Sequence, residues 1–177
     1  MVIIIVRKAT IKDVPFVEDI YNEIICEEEA GNTNVGWKRN IYPIRKTAED
    51  AVLRGDLFVG EHEGKVVATA IINKLQMESY IDGNWEFPAE NEKVMVLHTL
   101  CISPKMSGRG FGKEFVGFYE KYSRDSGCPY LRMDTNEKNA RARKMYKNLG
   151  YKEVGIVPCI FNGIEGVNLI LLEKYLD

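Results

Sequence analysis

Apolar positions recur along this chain with a period that switches between two and about 3.6 residues, and the switches predict its elements. Residues 2–8 are apolar up to Arg7 and read as a first strand. Thr10 and Asp13 then offer capping side chains, and Pro15 suits a first helical turn. Val14, Val17, Ile20, Tyr21, Ile24 and Ile25 follow at helical spacing, so a helix runs to about Glu29. Residues 30–43 hold Gly31, Asn32, Asn34, Gly36 and Asn40 and read as a loop. Thr47, with Asp50 three residues on, opens a short second helix that Gly55 ends. Residues 57–61 and 66–75 are strands joined by a tight turn at Glu63-Gly64. Residues 76–92 are polar and irregular. Residues 94–102 are apolar on both alternating faces, the pattern of a central buried strand.

After a loop over 103–110, Phe111, Phe115, Phe118, Tyr119 and Tyr122 mark a helix with one aromatic face. Residues 129–134 read as a strand. Asn139 opens a helix that turns Ala142, Met145, Tyr146 and Leu149 inward, and Gly150 stops it. Residues 154–161 and 167–173 close the series as a hairpin through Asn162-Gly163. The order β-α-α-β-β-β-α-β-α-β-β is a mixed α/β (α+β) arrangement, with two late β-α units beside antiparallel hairpins.

Composition narrows what such a fold can do. The chain has 177 residues, 45% hydrophobic and 28% charged, enough for one soluble domain with a full core, 1–177. A formal net charge of -2, with no block of like charges, argues against a nucleic-acid partner. The four cysteines form no CxxC pair, and His62 and His98 are the only histidines, so no metal site of the usual spacing is expected. The first apolar run is too short for a signal or membrane segment, which suggests a cytoplasmic chain with no membrane partner.

Chemistry concentrates in Leu100-Cys-Ile-Ser-Pro-Lys-Met-Ser-Gly-Arg-Gly-Phe-Gly-Lys113. A buried strand leads through three alternate glycines into a helix. Glycine lets the backbone reach a ligand closely and take positive φ, and the first N–H groups of a helix favour an anion. Arg109 and Lys113 add positive charge, so the segment reads as a diphosphate cradle. A strand-to-helix turn that simply needs small residues would look alike. The run is not a Walker loop, since Glu114 follows Lys113, and it has GxGxG where a dinucleotide fingerprint has GxGxxG.

The segment resembles motif A of the GNAT acetyltransferases, Arg/Gln-x-x-Gly-x-Gly/Ala. Gly110 and Gly112 match its small positions, and Ser107 stands where that pattern has Arg or Gln. Downstream, Asn139-Ala-Arg-Ala-Arg-Lys-Met-Tyr-Lys-Asn-Leu-Gly-Tyr151 resembles motif B at Asn139, Ala142, Met145, Tyr146, Gly150 and Tyr151. The resemblance implies a mostly antiparallel mixed sheet with a central parallel pair, flanked by helices and splayed at one end. It implies acetyl-CoA as cosubstrate, with Ser107, Gly108, Arg109, Gly110, Phe111, Gly112 and Lys113 around its diphosphate. The backbone of Leu100, Cys101 and Ile102 would lie along its pantetheine. Asn139 would hydrogen-bond it and Tyr146 would protonate the leaving thiolate. A helix cap is the other reading of Asn139, and a core aromatic that of Tyr146.

His98 shares the sequence parity of Leu100 and Ile102 and is a candidate base for an ammonium substrate, unless it is a satisfied core group. Glu86, Glu90 and Glu92 are alternative carboxylates. Tyr80 and Trp85 could line an acceptor pocket or a satellite core, and the resemblance puts Tyr21 and Trp37 near the acceptor. The expected activity is direct transfer of acetyl from acetyl-CoA to a primary amine of a small molecule, amino acid or peptide. A GNAT-like module that senses acyl-CoA without turnover is the rival. The final strands could supply an edge for a homodimer.

Overall fold

A computed structural model describes residues 3–177. Seven strands form one sheet: β1 (Ile5–Lys8), β2 (Leu57–His62), β3 (Lys65–Asn73), β4 (Val94–Ile102), β5 (Tyr130–Asn136), β6 (Lys152–Phe161) and β7 (Ile164–Tyr175). The helices are α1 (Val14–Glu29), α2 (Arg45–Arg54), α3 (Phe111–Asp125) and α4 (Ala140–Asn148). The sheet order is β1-β2-β3-β4-β5-β7-β6, and β4–β5 is the one parallel pair. The element order matches the hydrophobic periodicity. Shifts are confined to ends: α2 starts at Arg45, two residues before Thr47, and β7 reaches from Ile164 to Tyr175. The start of the first predicted strand, at Val2, lies outside the described residues. Among these residues no helix is long and apolar enough to cross a membrane.

Alternation along the strands builds two faces. Phe58, Ala70, Ile72, Leu97, Met133 and Leu172 pack beneath α3 and α4 with Phe115 and Tyr119. On the opposite face α1 and α2 cover one half of the sheet, burying Val17, Ile20 and Tyr21 against Leu57, Val59 and Ile71. The 74–93 connection covers the other half with Tyr80 and Trp85 over Val94, Val96 and Leu171. Buried Arg132 on β5 pins that connection: it donates to Gln76 Oε1 at 2.7 Å and stacks on the Trp85 ring at 4.1 Å.

The first helix is tied to the sheet by a charged knot. Asp13 accepts two hydrogen bonds of 2.8 Å from the Arg7 guanidinium and one of 2.7 Å from the Thr10 amide. The Arg7 hydrogen bond is the largest cause that lowers the Asp13 carboxyl, to about 2, below its ordinary 3.8. A depressed folded-state pKa stabilises the fold above the unfolded pKa, and the gain disappears as pH falls through the folded one. Asp13→Asn should therefore lower unfolding free energy at pH 7 by roughly 1–2 kcal/mol, discounted for the partial exposure of Arg7. Urea denaturation should show the gap closing between pH 4 and 2. A gap that persists at pH 2 would assign the loss to packing instead of charge.

Candidate active site

The central parallel pair comes apart halfway along. β4 and β5 pair from Val94↔Tyr130 to Leu97↔Met133. Beyond that point β5 continues with β7 through Asp134↔Leu171, while β4 stays with β3 through Thr69↔Cys101 and Ala68↔Ile102. The strands therefore part at His98 and Asp134. The β5-facing edge of Leu100, Cys101 and Ile102 keeps no strand partner.

A bulge accompanies the parting. The β3–β4 register shifts between Thr69 and Ile71, and Thr99 takes φ 51°. Left-handed φ is strained for a β-branched residue. The Thr99 hydroxyl shares a short hydrogen bond with the Tyr42 hydroxyl, which ties the bulge to the loop between α1 and α2. The inserted residue also changes which way the side chains point. Leu97, Leu100 and Ile102 pack toward α3 and α4, whereas His98 and Thr99 line a cavity on the other face. The parity expected for His98 is thus corrected: one bulged residue puts it opposite Leu100 and Ile102.

Two cavities meet at the fork. One, of about 370 Å³, lies between α2, the end of β3 and the β6–β7 turn, with Tyr42, Arg54, Asn73, Gln76 and His98 in its wall. The other, of about 110 Å³, runs between the parted strands past Trp37, Leu100, Asn139 and Tyr146. They share Thr99, Asp134 and Phe161. Glu28 pins the loop that lines the second cavity at Val35 and Gly36. Its carboxylate accepts from the Thr33 hydroxyl at 2.7 Å and from the Val35 and Gly36 amides at 2.9 and 3.0 Å. Gly36 packs so tightly that a Cβ there would stand 2.4 Å from Asn136 Nδ2.

The glycine turn stands at the far end of the parted strands. Gly108 and Gly110 have φ of 81° and 87°, and a Cβ on either would meet open space. Gly110 is the N-cap of α3 and provides no capping side chain. The Glu114 amide is the first to bond back, to the Gly110 carbonyl at 3.1 Å, so the amides of Phe111, Gly112 and Lys113 remain for another acceptor. The Phe111 side chain itself is core, its ring tilted against that of His62 with centroids 5.0 Å apart. Ser107 and Arg109 are exposed on the turn. Lys113 joins Arg141 and Lys144 around a basic hollow of about 360 Å³ beside it. Open Cβ directions, unpaired amides and this charge together fit a polyanionic ligand.

Asn139 is both an N-cap and a wall residue. Its Oδ1 accepts from the Ala142 amide at 3.2 Å, and the residue lines the cavity between the strands. Tyr146 lies about two helical turns further on, 6% exposed, and among the described residues no group hydrogen-bonds its hydroxyl. Burial raises its pKa, as do the nearby Asp134 and Cys101, so the phenol keeps its proton at neutral pH.

His98 sits at the end of a hydrogen-bond chain. Arg54 holds Asp56, Asp56 accepts from Asn73 Nδ2 at 2.9 Å, and Asn73 Oδ1 is 2.9 Å from His98 Nε2. An amide oxygen only accepts, so Nε2 carries the proton and Nδ1 is the basic nitrogen. Burial pulls the ring down to about 4.

The structure does not gather every expected acceptor residue. Trp37 lines the cavity between the strands. Tyr21 lines neither cavity, because its helical periodicity turns it into the α1–β3 core at 1% exposure. Trp85 is held away from both cavities by Arg132 and by its Nε1 bond to the Tyr80 carbonyl at 2.7 Å. Tyr80 is buried behind the fork, where its hydroxyl donates to Asp134 Oδ2 at 2.7 Å. Glu86, Glu90 and Glu92 stay exposed on the outer connection, Glu86 paired with Lys152. Sequence reasoning missed Asp134 and Tyr42. The one local signal for Asp134 is an acid at the end of the predicted 129–134 strand; Tyr42 has none.

A strand pair forked by a bulge, a glycine turn into a basic helix end, and a buried tyrosine facing the fork together define an acyl-CoA transferase type of architecture. Comparison with known proteins agrees with this class. The sequence profile of the acetyltransferase (GNAT) family matches residues 17–151, and the chain belongs to that family. An uncharacterised N-acetyltransferase of Methanocaldococcus jannaschii is 28% identical over 76 residues, which span 43% of this chain and 34% of that protein. Among solved structures, a GNAT-family acetyltransferase of Streptococcus agalactiae superposes with a TM-score of 0.84 at 24% identity, covering 98% of this chain and 96% of that one. The YncA protein of Salmonella typhimurium, solved with its cofactor acetyl-CoA, gives 0.69 at 18% identity, covering 99% and 95%. At such identities these structures speak to the fold.

A side chain at Gly110 would force its left-handed backbone to rearrange. Gly110→Val should weaken coenzyme A binding about tenfold or more while α3 stays folded. Calorimetric titration checks this, and an unchanged affinity would mean that the amides of this turn hold nothing.

Proposed function

We propose that this chain is an acetyl-CoA-dependent N-acetyltransferase that acts on a primary amine of a small molecule, amino acid or peptide, by direct transfer in a ternary complex. The observation that carries this reading is the meeting of two cavities at the β4–β5 fork. One is open to an acceptor, and the other lies along the free edge of β4, the strand whose chain continues into the glycine turn.

Acetyl-CoA supplies an activated acyl thioester. The residues present fit it along its length. The amides of residues 111–113, with Lys113, Arg141 and Lys144, suit its phosphates. The free edge of Leu100–Ile102 suits the amides of a pantetheine arm, as an added strand would. Asn139 offers its amide nitrogen to the same cavity while its oxygen caps α4. Trp37 and the loop pinned by Glu28 form one wall of the cavity.

An amine attacks only when neutral, and the departing sulfur needs a proton. The Tyr146 hydroxyl is the one phenol that faces the fork from the helix side. Its raised pKa keeps the phenol protonated at neutral pH, beside the place where thiolate develops. His98 is a weak proton acceptor for this reaction, because a ring pulled down to about 4 holds an ammonium proton poorly. We assign it to the wall of the acceptor cavity, where Nδ1 can accept a hydrogen bond from the acceptor.

Tyr146→Phe should lower kcat about tenfold to a hundredfold and leave coenzyme A affinity within about twofold. Thiol release with an amine panel, beside calorimetry with coenzyme A, reads both quantities. Equal turnover in the variant would remove Tyr146 as the acid. Coenzyme A binding by the wild type without thiol release for any amine would favour an acyl-CoA sensor instead.

A further inference from the structure

We infer that Asp134 is the group that takes the ammonium proton from the acceptor, with Tyr80 as its positioning residue. The inference rests on the acetyltransferase reading and supplies the base that this reading lacks.

Placement makes the case. Asp134 lies where β5 leaves β4, and among the described residues it is the only carboxylate in the wall of both cavities. The other acid of the larger cavity, Asp50, is paired with Lys46 at 2.7 Å on the outer surface of α2. A proton acceptor must touch the amine while the amine touches the acyl carbon, so it belongs where the two cavities join. Tyr80 donates to Oδ2 at 2.7 Å, and among the described residues no group donates to Oδ1. That oxygen is left for the cavity. Tyr146 approaches the fork from α4 on the opposite face of the sheet, so base and acid flank the reacting centre from its two sides.

The groups around this carboxyl set its protonation. Tyr80 faces it from the 74–93 connection and Tyr42 from the loop between α1 and α2, while Arg54 of α2 and His98 of β4 share its cavity. Tyr146 faces it from α4 and Cys159 from β6, while Arg132 stands two residues back on its own strand. None of these is a second carboxylate, and Arg54 is already engaged by Asp56. Packing encloses Asp134 deeply, and what surface it retains faces cavity space. Burial raises its carboxyl to about 6, against the pull of the Tyr80 hydrogen bond. A base poised there is ionised at neutral pH and still holds a proton well.

The protons balance. Asp134 Oδ1 accepts one N–H proton from the ammonium and passes it to solvent. The nitrogen lone pair then forms the C–N bond to the acyl carbon while the C–S bond breaks. Sulfur leaves with the bonding pair and takes the Tyr146 hydroxyl proton. The second proton lost by nitrogen restores Tyr146.

The test measures kcat/KM against pH for thiol release from acetyl-CoA, with a panel of free amino acids and short peptides as amines. The wild type should lose activity below about pH 6. Asp134→Asn, which keeps the shape and the Tyr80 contact, should lose about 100-fold or more in kcat/KM and show no limb near pH 6. Its coenzyme A affinity should stay within about twofold. Tyr80→Phe removes a hydrogen bond that lowers the carboxyl pKa, so its acidic limb should move to higher pH, a shift that looser packing alone would not produce. Should Asp134→Asn fail to fold, the Tyr80→Phe limb decides. Wild-type turnover in Asp134→Asn overturns the inference, as does a limb that survives there and vanishes in His98→Asn. If the wild type binds acetyl-CoA and acetylates no amine, the transferase reading itself fails, and the inference falls with it.

Discussion

A peptide N–H or C=O taken out of water has to find a partner, and this constraint governs the middle of the molecule. In the other strand pairs the ladder satisfies it. At the β4–β5 fork it is left unmet on one side over Leu100–Ile102, in the heart of the sheet. Such a gap is tolerable only if water or a ligand with its own amides fills it. The rest of the architecture keeps the gap open. The bulge at Thr99 bends β4 away, Tyr42 holds the bulge, and the β7 partner draws β5 to the other side. Without the fork, α3 would start from a glycine turn with nothing to hold, and Tyr146 would face a closed sheet.

The fork also explains why ionisable groups within a few residues of one another behave differently. Desolvation disfavours whichever form is charged. It pulls His98 down to about 4 and pushes Asp134 up to about 6. The Tyr146 phenol moves further from ionising, with the Asp134 carboxylate adding to the effect. At neutral pH the site thus holds a neutral imidazole, an ionised carboxylate and a protonated phenol. Opposed pKa shifts of this sort separate a base from an acid in one small volume. The neutral imidazole is a consequence of the same burial, and its Nε2 is committed to Asn73.

Much of the fold was legible from periodicity, because each element buries one face and pays in apolar residues at a fixed spacing. Glu63-Gly64 and Asn162-Gly163 gave the two hairpin turns away, and both pairs adopt the positive φ that such turns require. Periodicity failed where the chain departs from it. The parity of His98 counted residues along a regular strand, and a single bulged residue at Thr99 reversed it. No local signal marks that bulge, since Thr is an ordinary strand residue. Tyr21 shows the reverse error. Its spacing with Val17, Ile20 and Ile24 already placed it in the core, and the resemblance drew it toward the acceptor.

The legible and illegible parts of the site differ in how they work. The glycine turn depends on backbone conformation and unpaired amides, so it needs glycines at set positions, and those can be read from the chain. Asn139 and Tyr146 are one helical stretch, seven residues apart, so their common face follows from sequence spacing. Asp134 acquires its character from residues distant in sequence. Tyr80, 54 positions earlier, supplies its hydrogen bond, and burial sets its proton affinity. In the sequence it is an acid at the end of a strand, no different from many that face water. Chemistry that depends on backbone geometry is written locally, whereas chemistry that depends on desolvation exists only once the chain has closed around it.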